Sequence, residues 1–239
     1  MAMMPGRIGG AVKLARQIHS WSASPAEAVK IQQRLASRIV RRAPRKALRF
    51  VAGLDAAFPP GGKRCVAAVV VWDKEERKVV ERAVAFAPLR FPYIPGLLSF
   101  REAPALLAAL RKLAVTPDVL MCDGQGLAHP RRLGIACHVG LLAGLPSIGC
   151  AKSLLLGEHA VPGVRRGSRV PLIDRGERVG TVLRTRAGVK PVYISVGHLM
   201  DLDTAERIVL ACGAGYRLPE PTRLADQAVG REASARRTH

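Results

Sequence analysis

The hydrophobic positions of this 239-residue chain change period along its length. In "SPAEAVKIQQRLASRIVRRAP", Ile31, Leu35 and Ile39 recur four residues apart, which brings their side chains to one face of an α-helix. Ser24 is the expected N-cap, Pro25 stands at the first helical position and Glu27 closes a capping box, while Pro44 ends the pattern. Three strand-like runs follow: "FVAGLDAAF" (50–58), "RCVAAVVVW" (64–72) and "KVVERAVAF" (78–86). The turn-forming "PPGGK" and polar "DKEER" between them are so short that they predict an antiparallel meander.

Further on, the pattern predicts a helix around Pro104–Leu113, a strand at 118–122, a helix at 132–144 and a strand at 147–150. A hairpin at about 169–186, a strand at 191–196 and a helix at 201–212 complete it. A meander followed by alternating elements predicts an α/β protein, with a mixed sheet covered by helices on both faces. No internal repeat or linker divides the chain, so a single domain is expected over residues 1–239. Its core would span about 21–229, with a frayed polar tail at 230–239.

Composition sharpens the picture. Hydrophobic residues make up 49% of the chain, enough for a substantial core. Lys and Arg number 38 against 18 Asp and Glu, a net charge of +20 that suits a polyanionic partner. A genome-wide drift toward Arg explains the charge equally well. The seven basic residues from Arg34 to Arg49 form either a phosphate-facing strip or a solvated face. Five cysteines, an odd number without C-x-x-C spacing, suggest neither a disulfide framework nor a zinc site, and read as small core residues in a reducing compartment. No apolar run is long enough to cross a bilayer and the N-terminal segment lacks a signal-peptide core, so a cytoplasmic protein without membrane partners is expected.

The acidic positions carry the candidate chemistry. Asp55 lies inside an apolar run, where an unpaired charge is costly, so it must meet a cation, a metal or water. Asp123 ends the strand "DVLMC". If the two strands are neighbours, both carboxylates reach one end of the sheet, and with Glu102 they suit magnesium. A structural ion pair for Asp55 and a helix-dipole role for Glu102 are the plainer readings. The chain has no HExxH, no G-x-S-x-G and no Walker loop, while "DGQGLAHPRRLG" sets His129, Arg131 and Arg132 close behind Asp123. In "FPYIPGLLSFRE", Tyr93 stands between Pro92 and Pro95. That is either a rigid turn with the ring capping the core or an aromatic held out for contact.

Six segments, "VAGLDAAF", "FPYIPGLLSFRE", "DGQGLAHPRRLGIACHVG", "IGCAKS", "KPVYISVGHLMDLDTA" and "YRLPEPTRLAD", resemble the endonuclease V (deoxyinosine 3′ endonuclease) family in order and spacing, from about Trp21 to Asp226. The resemblance implies a ribonuclease H-like fold and metal-activated hydrolysis, with magnesium or manganese, of the second phosphodiester 3′ to a deaminated adenine. The products would carry 3′-hydroxyl and 5′-phosphate ends. It assigns Asp55, Asp123 and Glu102 to the metal, Lys152 and His129 to the catalytic site, and Tyr93 to a wedge. Pro92, Ile94, Gly96, Leu98, Gly124, Gly126 and Gly134 would contact nucleic acid. Some relatives carry His where Asp226 stands, leaving this residue between a metal-linked and a structural role. The partner expected is DNA containing deoxyinosine, with inosine-containing RNA as the alternative substrate. No organic cofactor and a monomeric state are expected. A noncatalytic nucleic-acid-binding module would explain the charge and the aromatic, but not the carboxylates, which repel phosphate unless a cation intervenes.

Overall fold

A computed structural model describes Val12, Leu14 and residues 18–235. Helix α1 (Pro25–Ala36) starts as its sequence dictates, with Ser24 Oγ accepting from the Glu27 N–H and the Glu27 carboxylate accepting from the Ser24 N–H. Its buried face is turned by one residue from the expected one: Ala28, Gln32 and Leu35 are covered, and Ile31 is only partly so.

Strands β1 (Phe50–Ala57), β2 (Arg64–Asp73) and β3 (Lys78–Pro88) form the expected antiparallel meander. Helix α2 (Ser99–Leu110) begins five residues ahead of Pro104, because the turn before it is already helical and its carbonyls accept from Arg101 and Glu102. Next come β4 (Val119–Cys122), α3 (Ile135–Ala143) and β5 (Ser147–Ala151). The expected hairpin is β6 (Arg169–Asp174) and β7 (Glu177–Leu183), and β8 (Val192–Val196) and α4 (Leu202–Ala211) follow. A last helix, α5 (Glu220–Ala235), extends through part of the segment expected to fray and was not predicted.

The eight strands form one mixed sheet in the order β3-β2-β1-β4-β5-β8-β7-β6, with β1–β4 and β4–β5 parallel and the other pairs antiparallel. Side chains alternate between its faces. Ala52, Leu54 and Cys122 pack toward α2 and α3, and Val66 and Ala68 toward α5. The start of α5 rests on β1 so closely that a Cβ at Gly53 would lie 2.0 Å from the Pro221 carbonyl. All five cysteines are free and buried, in keeping with their reading as core residues. Among the described residues no helix is long and apolar enough to cross a membrane.

Candidate active site

The register of the central pair builds the site. Leu54 of β1 lies beside Cys122 of β4 in parallel pairing, so Asp55 and Asp123, the next residue of each strand, emerge together at the same edge. The strand period turns both toward the α5 face, where Asp226 of α5 meets them. One carboxylate oxygen from each of these three aspartates lies within 4.8 Å of the others. Glu102 is not a member of this trio. It comes from the first turn of α2, on the opposite face of the sheet, and is buried.

The charges are crowded. Burial, reinforced by Asp123, pushes the Asp55 carboxyl up to about 7. Burial, then Asp55 and Asp123, pushes Glu102 up to about 8. Asp123 is also raised, because its burial outweighs the bond to Lys152. Lys152, just past β5, sets Nζ 2.6 Å from Asp123 Oδ2 and 2.6 Å from Asp226 Oδ1. Burial alone would lower its pKa, but those two bonds prevail and hold the amine protonated.

A cleft of about 400 Å³ runs from Asp55, Asp123 and Lys152 to the Tyr93 turn. Ile94, Pro95, Gly96, Leu98, Gly124, His129 and Gly134 line it, as do Gln32, Ile135, Leu154 and Leu155. Tyr93 is 70% exposed and does not cap the core; its ring meets only the Arg101 guanidinium at 5.8 Å among the described ring contacts. Pro92 is exposed beside it. Gly126 packs inside the protein, where a Cβ would lie 2.1 Å from the Val196 carbonyl. Gly124, at φ +152°, leaves the space that a Cβ would take from Ile135.

His129 is placed in the cleft but its ring is committed to backbone. Nε2 donates to the Gly96 carbonyl (2.9 Å), which can only accept, so Nδ1 is the unprotonated nitrogen that accepts from the Arg131 N–H (3.2 Å). Burial, with repulsion from Arg131 and Arg132 added, drives its pKa down to about 4, so the ring is neutral at physiological pH. The Gly96 carbonyl also accepts from Arg131 Nη2 (2.6 Å) and Gln32 Nε2 (3.0 Å), which fixes the turn bearing Tyr93.

Sequence reasoning missed Gln32 and Gln125. Gln125 is buried, with Nε2 donating to the Ser153 carbonyl (3.0 Å), which ties the exit of β4 to that of β5. The signal for Gln32 was a polar residue between Ala28 and Leu35 on a helix read one position out of phase.

Clustered carboxylates at the rim of an α/β sheet, opening on a cleft in a strongly basic chain, define the class: a nuclease. A family model described as Endonuclease V matches residues 33–227. Endonuclease V of Roseiflexus sp. (strain RS-1) is 54% identical over 206 residues, covering 86% of this chain and 92% of that protein. The crystal structure of the Endonuclease V from Streptomyces avermitilis superposes with a TM-score of 0.86 at 42% identity, over 95% of this chain and 100% of that one. Endonuclease V of Ciona intestinalis, in complex with a 24mer DNA containing an inosine followed by a ribo-adenosine, superposes with a TM-score of 0.76 at 26% identity, over 88% and 98%. The chain belongs to the endonuclease V family.

Proposed function

We propose that the protein recognises inosine, the product of adenine deamination, in DNA and hydrolyses the second phosphodiester 3′ to it, leaving 3′-hydroxyl and 5′-phosphate ends. The observation that carries this reading is the cleft joining an exposed aromatic on a stiff turn to Asp55 and Asp123, two of three converging carboxylates. The inosine-containing DNA bound by the Ciona relative supports the choice of base.

The donor set fits a hard divalent cation. Several carboxylates share one rim, and burial and mutual repulsion raise them, which is the signature of a site short of positive charge. Asp55 and Asp123 would hold magnesium or manganese, helped by Asp226 from one face of the sheet and Glu102 from the other. Such an ion supplies a Lewis acid and lowers the pKa of a water.

The chain's own residues do the rest. Lys152 stays protonated, so it serves as a donor to a phosphate oxygen and not as a base. An inosine leaves the stack more cheaply than a well-paired base, and Tyr93 fills the space it vacates. Pro92 and Pro95 fix φ on either side of the Tyr93–Ile94 pair and cut the entropy lost on insertion. Hypoxanthine has a carbonyl at C6 and a proton on N1, and lacks the C2 amine of guanine. Main-chain groups near Gly96 and Gly124 are close enough to the cleft to test all three. Neutral His129 acts by holding Gly96.

Nicking of otherwise identical duplexes carrying inosine, guanine or adenine, with the cut mapped on a sequencing gel, tests the reading. The inosine duplex is expected to be cut at the second bond at least about 100-fold faster than the others. Comparable rates on all three, or a cut elsewhere, contradict it. The ribo-adenosine in the Ciona complex favours one second reading, an RNA substrate. An inosine-containing RNA strand cut faster than the matching DNA strand would establish it.

Protons and cation compete for the same oxygens. Asp55 ionises near pH 4 when unfolded and near 7 when folded, so between these values the folded state holds the extra proton. Its contribution to stability is therefore present below pH 4 and lost as pH rises through 7. Without divalent cation, Asp55→Asn is expected to gain Tm relative to the parent protein as pH rises from 5 to 8. Magnesium at about a hundred times its Kd should raise the parent's Tm by roughly 5–10 °C at pH 8, and by much less at pH 5. A magnesium effect independent of pH, or equal in Asp55→Asn, would count against the cluster.

A further inference from the structure

We propose that Gln32, on helix α1, is a positioning residue that sets the width of the base-binding end of the cleft. The inference rests on the reading of that cleft as the seat of an extruded base. Gln32 is 1% exposed, in the middle of a helical face where packing alone favours an apolar side chain. A buried amide is tolerated only when its hydrogen bonds are made, and here both halves are used. Nε2 donates to the Gly96 carbonyl (3.0 Å) and to the Leu133 carbonyl (3.2 Å), while Oε1 accepts from Arg131 Nε (2.5 Å). Two carbonyls on one side and a guanidinium on the other fix which way the amide points.

Those two carbonyls belong to different walls. Gly96 is in the turn that carries Tyr93, and Leu133 is in the backbone leading into α3. The two N–H bonds of one planar amide diverge at a fixed angle, so both bonds persist only at one separation of the walls. The Gly96 carbonyl also accepts from Arg131 Nη2 (2.6 Å) and His129 Nε2 (2.9 Å), and at φ +77° a Cβ here would lie 2.8 Å from the Arg131 guanidinium, so the residue must stay glycine. Guanine differs from hypoxanthine by one exocyclic amine, so a gap held to one width is what separates them.

Gln32→Ala and Gln32→Glu both delete the two donors, and Glu keeps the length and the acceptor for Arg131. Ser24→Ala is the control for stability, since it loosens the start of α1 without touching the amide; it is expected to lower Tm by about 2–4 °C and leave base preference unchanged. In single-turnover nicking with magnesium, well below each Tm, both Gln32 variants are expected to raise the half-saturating enzyme concentration for inosine DNA about tenfold. The maximal rate should stay within about threefold, and the preference for inosine over guanine should fall about tenfold. Amide hydrogen exchange should quicken in segment 91–97 and not in β2. Wild-type preference and exchange in Gln32→Glu overturn the proposal, as does an equal loss of preference in Ser24→Ala. If the parent protein does not cut inosine duplexes, the functional reading falls. Faster exchange confined to 91–97 then still supports the brace, and uniform exchange rejects it.

Discussion

Asp123→Ala is expected to lower nicking of an inosine duplex by a factor on the order of 10³ or more, and to leave binding of that duplex within a few-fold. The separation follows from position. The Asp123 side chain stands where β4 ends, in contact with Lys152 and within reach of Asp55 and Asp226, whereas Tyr93 and Gly96 lie at the other end of the cleft and the Gly124 contribution proposed above is main-chain. The variant should fold. The carboxyl of Asp123 is raised by burial, so its charge is a load on the folded state and its removal relieves repulsion on Asp55 and Glu102. Lys152 keeps Asp226. Nicking rates and fluorescence anisotropy with a chelator present measure the two halves of the prediction. Undiminished cleavage would remove Asp123 from the chemistry, and lost binding with a lowered Tm would make it structural.

Tyr93→Ala has the second largest expected effect, on engagement and not on the bond-breaking step. Its ring is mostly in solvent, with the Arg101 guanidinium 5.8 Å from its centroid, so truncation should move Tm by less than about 2 °C. Stacking against a base is worth about 1–3 kcal/mol by alanine substitution, which predicts roughly a 10- to 100-fold loss of affinity for an inosine duplex. Tyr93→Phe should retain most of it, because the ring and not the hydroxyl fills the gap. A single strand carrying inosine has no gap to fill and should lose less. Unchanged affinity and cleavage of the duplex in Tyr93→Ala would mean that the ring is not a wedge.

Much of the fold was legible because it depends on local rules. The capping box at Ser24 and Glu27 and the short links between the first three strands were enough to place α1 and the meander. The convergence of Asp55 and Asp123 required only that their strands be neighbours, and they are parallel partners. What could not be read depends on which face an element covers. The resemblance left Asp226 between a metal-linked and a structural role; it joins the trio because α5 lies against β1 at Gly53, and nothing in "PTRLADQAVG" names that contact. Glu102 was expected to join the aspartates from a helix, and α2 does carry it, but the sequence does not show that it comes buried from the other face of the sheet, near enough for Asp55 and Asp123 to raise its carboxyl. His129 showed as a polar residue near Asp123, yet only the coordinates reveal that Gly96 and Arg131 take both of its nitrogens.

Whether Asp55 and Asp123 share a divalent ion is tested by a manganese soak of crystals of the protein, with anomalous diffraction used to locate the ion. A peak bonded to carboxylate oxygens of both Asp55 and Asp123, lost in Asp123→Ala, is the expected result. A peak bonded to neither, or no peak at saturating manganese near pH 8, would contradict it.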